Sequence, residues 1–194
     1  MEGNGLQEHR LFGGAFSAIL PPGFSDVSEL REIPNNQEIF AHSQTDQSII
    51  IELMEYQAHV SDADAARYHF EDIASSNEAS GPEKAEILTV EPVPKEQLAL
   101  QECSSAWLLS GRQLVAKFNE QVRNMVALHL CLLRLPQFST DLLLTFNDPI
   151  LIHPSSSSAT ANVPSGPGEA PAWTLEHFRL LLQTLRLCDT AIFG

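Results

Sequence analysis

An apolar segment around residue 50 places hydrophobic side chains on both faces of a strand, and this limits the folds open to the chain. The segment is QSIIIELMEY, residues 47–56. Because side chains alternate along a strand, its apolar residues divide between two faces. One face holds Ile49, Ile51 and Leu53, and the other holds Ile50 and Met54 beside Glu52. A strand of this kind belongs in a sheet that is covered on both sides.

A second apolar segment, VRNMVALHLCLLRL at residues 122–135, allows two interpretations. Leucine, alanine and methionine are good helix formers, so propensity alone favours a helix. Written as a strand, the segment again carries apolar side chains on both faces, as a doubly covered strand requires. We predict a strand, whose faces hold Val126, Leu128, Leu130 and Leu132 on one side and Ala127, His129, Cys131 and Leu133 on the other.

Shorter extended segments complete the predicted sheet. The glycine pair Gly13 and Gly14 lies within a segment that reads as a strand or hairpin. A polar SQTD turn separates two further segments that together predict a hairpin. The predicted extended segments are 11–20, 37–42, 47–56, 87–90 and 140–147.

Two segments have the spacing of amphipathic helices. The first, residues 61–73, begins with Ser61 as N-cap and Asp64 in a capping-box position. The second follows an N-cap at Thr174, across which Trp173 is expected to pack against Phe178. The apolar stripes are Ala66, His69, Phe70 and Ile73 in the first helix and Leu175, Phe178, Leu182 and Leu185 in the second.

The segment before the last helix has a different composition from the rest of the chain. Residues 150–172 are rich in Ser, Pro, Gly and Ala and carry too few apolar side chains to order themselves. We therefore predict a flexible loop there. The length of 194 residues suits one domain, so residues 1–194 are expected to form a single domain that contains this loop.

The charge of the chain is strongly negative. Lys and Arg number 11 against 25 Asp and Glu, which gives a formal net charge of −14. Residues 1–72 hold 13 of the acidic residues and only 3 of the basic ones. Direct binding to nucleic acid phosphates is not expected without a basic patch, and none is visible in the sequence. The acidic first third should instead attract a basic partner.

Cysteine usage and hydropathy indicate the compartment. Cys103, Cys131 and Cys188 are odd in number and widely spaced, which favours reduced thiols over disulfides or a metal site. No apolar run reaches the roughly 20 residues that span a bilayer. We expect a protein of the nucleus and cytoplasm that does not insert into membranes.

Motifs for enzymatic chemistry are missing from the sequence. There is no phosphate-binding glycine loop, no GxSxG elbow and no HExxH zinc motif. His69 and His129 lie within apolar patterns, where packing is the usual role. Glu52 and Glu55, three residues apart on one strand, face opposite sides and do not form a catalytic carboxylate pair. These patterns favour a binding protein without a cofactor, and a hydrolase of unknown type is a remote alternative.

A polar segment, LREIPNNQEIF at residues 30–40, is the strongest candidate for recognition. Pro34 and the following asparagines predict a turn, but a turn does not require so many charged and amide side chains. If the hairpin forms as predicted, carboxylates from neighbouring strands and turns meet on one face or edge. A specific acidic interaction site and a solvated surface fit this pattern equally well. The acidic residues concerned are Asp26, Glu29, Glu32, Glu38, Asp46, Glu52 and Glu55.

Six segments occur in an order typical of one protein family. They are LFGGAFSAILPPGF, DVSELREIPNNQEIF, QSIIIELMEY, YHFEDI, LLRLPQFSTDLLLTFN and DTAIF. In these segments the chain resembles the Ran guanine nucleotide release factor family, the Mog-type proteins. The resemblance covers residues 11–146 and the C-terminus, whereas the Ser/Pro-rich segment departs from the family pattern.

This resemblance implies both a fold and a function. The implied fold is α+β, a three-layer α/β/α sandwich with a central, mainly antiparallel sheet of about six strands, similar to the PsbP subunit of the photosystem. The family binds the small GTPase Ran and promotes loss of its guanine nucleotide, which regulates nuclear transport. Vertebrate members are also linked to trafficking of a cardiac sodium channel to the cell surface. The chain itself is expected to be a monomer.

Carried over by motif, the resemblance places the Ran-binding surface in the acidic N-terminal half. A non-enzymatic adaptor for a transport or membrane-protein client is the alternative function, and binding to Ran without acceleration of nucleotide loss would favour it. The implied partner-binding residues are Asp26, Glu29, Arg31, Glu32, Pro34, Asn36, Gln37, Glu38, Asp46, Glu52 and Glu55.

Overall fold

The computed structural model of the chain describes residues 7–81, 83–116, 123–151 and 170–194. Its largest element is an antiparallel sheet of seven strands in the order β3-β4-β5-β9-β8-β7-β6. A second sheet has the order β1-β2-β10. The strands are β1 (Glu8–Leu11), β2 (Phe16–Ile19), β3 (Phe24–Asp26), β4 (Gln37–His42), β5 (Ser48–Glu55), β6 (Ala85–Pro92), β7 (Ser105–Ala116), β8 (Arg123–Leu135), β9 (Thr140–Leu151) and β10 (Arg186–Leu187), and the helices are α1 (Asp62–Ser76) and α2 (Leu175–Thr184).

The large sheet is covered on both faces, as the apolar strands predict. Leu128, Leu130 and Leu132 of β8 pack with α1 on one side, while Cys131 and Leu133 face a second core on the other. The strand interpretation of this segment is confirmed, because burial on both faces overrides its helix propensity. The fold is α+β with three layers, and the central sheet has seven strands where about six were expected.

The two covering layers differ in composition. Helix α1 packs on β6, β7 and β8. The opposite face is covered by α2 together with the three-stranded sheet, whose second strand β2 contacts α2. The N-terminal segment supplies the difference, since its predicted hairpin folds over the large sheet and does not join it.

A tight turn joins the two strands of that hairpin. Residues 12–14 form one 3₁₀ turn between β1 and β2. Gly13 and Gly14 have φ angles of 68° and 99°, which glycine adopts without strain. Phe12 also has a positive φ, of 52°, and for a side chain of this size that conformation is strained. Of the two readings of this segment, a strand or a hairpin, the structure shows the hairpin, with the glycine pair in its turn.

Both helices begin close to their predicted caps. Ser61 precedes α1, but its hydroxyl donates to the Asp64 carboxylate (2.9 Å) and caps no backbone N–H. Thr174 caps α2 in a capping box with His177. Trp173 and Phe178 are both buried and both stack near Phe146. The predicted start of the second helix is confirmed.

A buried ion-pair network ties the start of α1 to the sheet. Arg134 on β8 and Asp141 on β9 face each other across the ladder, with Nε and Oδ1 2.9 Å apart, and neither side chain is exposed. His69 of α1 lies 3.1 Å from Asp141, and the Arg134 guanidinium lies over the Tyr56 ring. His69 thus has the packing role expected for it.

Strand β9 runs to Leu151, four residues beyond the predicted end at 147. The predicted flexible loop at 150–172 otherwise falls mostly outside the described residues, which resume at 170. No helix in the part of the chain that the structure describes is long and apolar enough to cross a membrane.

Candidate functional site

The polar segment of the sequence borders a cleft at one edge of the large sheet. The cleft has a volume of about 540 Å³ and lies between the connection from β3 to β4 and the turn at 12–14. At this edge β3 pairs only with the second half of β4, so the first half of β4 has no strand outside it. We call this the polar cleft; it is lined by Phe12, Gly13, Ser28, Arg31, Glu32, Ile33, Pro34, Asn35, Gln37, Glu38 and Ile192.

Backbone and side-chain hydrogen bonds shape the connection that borders the cleft. The Asp26 carboxylate accepts from the Ser28 backbone N–H at 2.9 Å and from the Ser28 hydroxyl at 2.7 Å. This caps a single 3₁₀ turn at 27–29. The Gln37 N–H donates to the Pro34 carbonyl at 3.1 Å, which closes a second turn. Asp26 and Pro34 are therefore positioned to hold the loop in shape.

Glu38 is the half-buried carboxylate of the cleft. Its Oε1 accepts a hydrogen bond of 2.6 Å from the backbone N–H of Phe12. Burial raises the pKa of Glu38, the Phe12 N–H opposes this effect, and the negative charge of Asp26 adds to it. An ionised but poorly solvated carboxylate of this kind would gain from a basic partner group. The strained Phe12 turn supports the same conclusion, because strain often persists at functional sites.

The opposite face of the same edge holds Glu52. Alternation along β4 and the pairing of Gln37 with Glu52 place these two side chains on the α1 face, whereas Glu38 is on the other. Gln37 Nε2 donates to Glu52 Oε2 at 2.9 Å. Asn36 Nδ2 donates to the Leu53 carbonyl at 3.1 Å. The predicted carboxylates thus share an edge of the sheet and do not share one face.

The tip of the connection presents side chains that the fold does not use. Glu29, Arg31 and Glu32 are exposed, and their side chains make no hydrogen bond or ion pair with other described residues. Leu30 lies among them with 80% of its surface exposed. No periodic pattern in the sequence marks Leu30; its position as an isolated apolar residue within a polar run is the only clue to its exposure. A single exposed leucine is common on protein surfaces, so Leu30 is a candidate contact only together with the exposed charged side chains beside it.

Three predicted residues lie apart from the polar cleft. Asp46 lines a separate cavity together with Glu52, on the α1 face of the sheet. Glu55 is exposed at the end of β5 and lines neither space. The eleven predicted residues therefore form one group around the connection from β3 to β4, a pair at the second cavity and one outlying residue.

Partly or fully buried titratable groups of the large sheet include a histidine and a cysteine. No group of three His, Cys, Asp or Glu residues in this part of the chain is placed to hold a metal ion. His129 contacts the Ser110 hydroxyl at 2.7 Å and stacks on Phe146, and burial lowers its pKa. Burial raises the pKa of the Cys131 thiol to about 12, so it is not a nucleophile at neutral pH.

Similarity to known proteins extends over almost the whole chain. A Ran guanine nucleotide release factor of Danio rerio is 61% identical over 95% of this chain and 98% of its own length. The Homo sapiens protein of the same name is 51% identical over 95% of each chain. The nuclear import protein mog1 of Schizosaccharomyces pombe is 30% identical over 95% of this chain and 99% of its own length.

The fold is similar to that of a solved structure, and a family model matches most of the chain. The crystal structure of the Saccharomyces cerevisiae Ran-binding protein Mog1p superposes with a TM-score of 0.69 at 24% identity, covering 97% of this chain and 98% of the other. The model of the Ran-interacting Mog1 protein family matches residues 9–149. This range includes every lining residue of the polar cleft except Ile192, and the whole large sheet except the last residues of β9. The chain belongs to the Ran-interacting Mog1 protein family.

Proposed function

We propose that this protein binds the small GTPase Ran and promotes release of its bound guanine nucleotide. The observation that carries the proposal is the exposed group Glu29, Leu30, Arg31 and Glu32, which adjoins the half-buried Glu38 and has no role within the described fold. Relatives of high identity bear the name Ran guanine nucleotide release factor, and this supports the choice of partner.

The proposed contact surface follows the edge formed by β4 and the connection that precedes it. Glu29, Arg31 and Glu32 contact the partner directly, Leu30 buries apolar surface, and Glu38 pairs with a basic group that enters the polar cleft. Asp26, Pro34, Asn36 and Gln37 hold the loop and contact the partner at its margin. Asp46, Glu52 and Glu55 border this edge from the α1 face and the end of β5, and remain predicted contacts.

The proposed mechanism uses binding alone. A protein shifts an equilibrium only through different affinities for its two states, so this protein must bind the nucleotide-free form of Ran more tightly than the nucleotide-bound form. Acidic side chains achieve this if they pair with basic groups of the GTPase that otherwise hold phosphate, or if they disturb its switch segments and Mg²⁺ site. Neither route requires a cofactor or covalent chemistry in this chain.

Names of relatives and the charge of the chain support the remaining parts of the proposal. A relative named as a nuclear import protein supports action in the nucleus and cytoplasm. The net charge of −14 disfavours direct contact with nucleic acid. We propose that the protein acts as a monomer. Assistance to the surface trafficking of a cardiac sodium channel is a further role to test, by sodium current in cells with and without the protein.

A nucleotide-release assay tests the main proposal. Labelled nucleotide is loaded on Ran, and its release is followed with the wild-type protein and with Glu29→Lys plus Glu32→Lys. Both side chains are exposed and without partners in the described structure, so the variant should fold normally. Ran should release its nucleotide much more slowly in the presence of this variant than in the presence of the wild-type protein. The matched control is Glu83→Lys plus Glu96→Lys, which changes charge equally beside β6, at the opposite edge of the sheet.

Three results would decide between the functions. Loss of release with the first variant and not with the control supports the proposed surface. Equal rates of nucleotide release from Ran with both variants contradict the proposed surface. Steady binding of the wild-type protein to Ran without faster nucleotide loss would instead favour the adaptor function, with Ran as the carried partner.

A further inference from the structure

A second cavity lies on the α1 face of the large sheet, beyond the end of that helix. Its volume is about 280 Å³. Ile73 and Asn77 from the last turn of α1 close one side, and β5, β7, β8 and β9 form the floor. We call it the Thr145 pocket; it is lined by Asp46, Ile50, Glu52, Ile73, Asn77, Val115, Asn124, Val126, Thr145, Asn147 and Pro149.

The hydroxyl group of Thr145 indicates that something is bound in this pocket. Thr145 is only 3% exposed, and its Oγ1 is buried without a hydrogen-bond partner among the described residues. Buried polar groups in native proteins are nearly always paired, because an unpaired one loses its hydration and gains nothing in return. A threonine that lines a cavity and has an unpaired buried hydroxyl indicates that a polar group occupies the cavity.

The other polar groups of the pocket include several hydrogen-bond acceptors. Asn77 and Asn147 use their NH₂ groups to donate to Gln113 Oε1 at 3.0 Å and to Ser48 Oγ at 3.2 Å. Each amide keeps its carbonyl oxygen for a ligand, beside the second N–H of its NH₂ group. Glu52 uses Oε2 to accept from Gln37, which leaves Oε1.

Charge and shape define the ligand further. Two of the lining residues, Asp46 and Glu52, are acidic, and none of those described is basic. Asp46 and Asn124 are engaged by other groups of the chain, so the charge available to a ligand is chiefly that of Glu52. The walls between the polar atoms are aliphatic, formed by Ile50, Val115 and Val126. Such a site suits a cation on an apolar stem.

We propose that the Thr145 pocket binds a guanidinium group on an aliphatic stem. A guanidinium presents five N–H donors in a plane, which matches a site with a carboxylate, two amide oxygens and a hydroxyl as acceptors. The volume of about 280 Å³ is at the small end for ligand sites and holds one side chain or a small guanidino compound. The pocket and Glu38 are on opposite faces of the sheet, so this inference does not depend on the role proposed for Glu38; it shares Asp46 and Glu52 with the predicted contacts of the proposed function.

Titration of the isotopically labelled protein with N-acetyl-arginine methylamide tests the proposal by nuclear magnetic resonance. We expect saturable shifts of the backbone amides of Glu52, Thr145 and Asn147. The citrulline analogue has the same shape without the charge and should not produce them. Agmatine and a short peptide with a central arginine distinguish the two sources: tighter binding of the peptide identifies a partner's side chain, and tighter binding of agmatine identifies a small molecule. Both results support the guanidinium site.

Three variants locate the binding. Thr145→Val and Glu52→Gln should each weaken binding of the arginine probe by about tenfold or more, as expected for one lost hydrogen bond to a charged group. Glu55→Gln, on the same strand but facing the other side, should leave it unchanged. Thr145→Val should also raise the melting temperature of the unliganded protein, because it removes an unpaired buried hydroxyl. Three results would each overturn the proposal: equal binding of the arginine and citrulline probes, no shift at these amides, and unchanged binding of the arginine probe by Thr145→Val. The last two would indicate a pocket that holds only water.

Discussion

Replacement of Glu38 separates the role of its charge from the role of its hydrogen bond. Glutamine keeps an oxygen that accepts from the Phe12 N–H, which lies 2.6 Å from Glu38 Oε1, but it removes the negative charge. Alanine removes both. If Glu38 pairs with a basic group of the partner, both variants should lose the affinity due to that charge, and only alanine should also destabilise the fold.

The structure gives the size of each effect. Loss of one partner of a desolvated charge pair costs about 2–5 kcal/mol, so the affinity for Ran should fall by about 30-fold or more in both variants. Alanine leaves the Phe12 N–H without its acceptor in a part-buried position, which should cost about 1–3 kcal/mol of stability. Glutamine should be at least as stable as the wild type at neutral pH.

The pH dependence of stability provides an independent check. Burial raises the pKa of Glu38, so the folded protein binds this proton more readily than the unfolded chain. Stability from this group is therefore complete below the ordinary glutamate pKa and is lost as the pH rises through the raised value. Glu38→Gln should therefore have a higher free energy of unfolding than the wild type once the pH rises through the raised pKa of Glu38, and this difference should vanish in acid. Denaturant unfolding across pH, with binding measured on the same samples, tests both parts; wild-type affinity in Glu38→Gln would refute the proposed role of the charge.

Three further predictions concern other parts of the molecule. Leu30→Ser should weaken Ran binding by about 1.5–3 kcal/mol, which is the value of burying one leucine, and titration calorimetry measures this change. The free energy of unfolding, measured with denaturant, should change by less than about 0.5 kcal/mol because Leu30 is exposed. Arg134→Met should cost about 3–5 kcal/mol in denaturant unfolding, because it removes the guanidinium that pairs with the buried Asp141 carboxylate and leaves that charge with only the hydrogen bonds from His69 and the Gln57 N–H. Gly111→Ala should cost about 1–3 kcal/mol in thermal unfolding, because the added Cβ would lie 2.8 Å from the Phe70 ring and 2.6 Å from the Glu86 carbonyl oxygen.

The ion-pair network of Arg134 also explains part of the acid sensitivity expected for this fold. Burial raises the pKa of Asp141, but hydrogen bonds from His69, Arg134 and the Gln57 N–H outweigh that effect and hold it below its usual value. A lowered carboxyl pKa contributes stability above the unfolded pKa, and this contribution is lost as the pH falls through the folded value.

The sequence predicted the large sheet well because burial on two faces leaves a distinctive pattern. The alternation in β5 and β8 follows directly from the period of a strand, and it overrode the helix propensity of leucine and methionine in β8. It did not predict that β1 and β2 form a separate sheet with β10. That arrangement depends on which edge the hairpin meets in space, and local patterns do not record long-range pairing such as that of Leu187 with Phe16.

For the candidate site, the sequence indicated a region of the chain but not the geometry of its side chains. Composition located the acidic edge, and the hairpin register explains why Glu38 and Glu52 nevertheless point to opposite faces: the residues that pair are Gln37 with Glu52 and Glu38 with Ile51. A shift of one residue in that register would reverse every side chain, and the sequence does not determine the register. Thr145 gave no signal at all, since its unpaired hydroxyl is visible only once the surrounding strands are in place.

The division of roles among the polar residues explains why this surface can be both ordered and available for binding. Asp26 caps a turn, Asn36 binds the β5 backbone and Gln37 binds Glu52, so these side chains hold the connection in shape. The loop therefore loses little conformational freedom when a partner binds, and less of the interaction energy is spent on ordering it. Glu29 and Glu32 can then attract a basic partner at long range, because they have no competing cation within the described structure. High salt should slow association through these exposed charges more than it speeds dissociation, since screening acts on the encounter and much less on a buried contact such as that expected for Glu38.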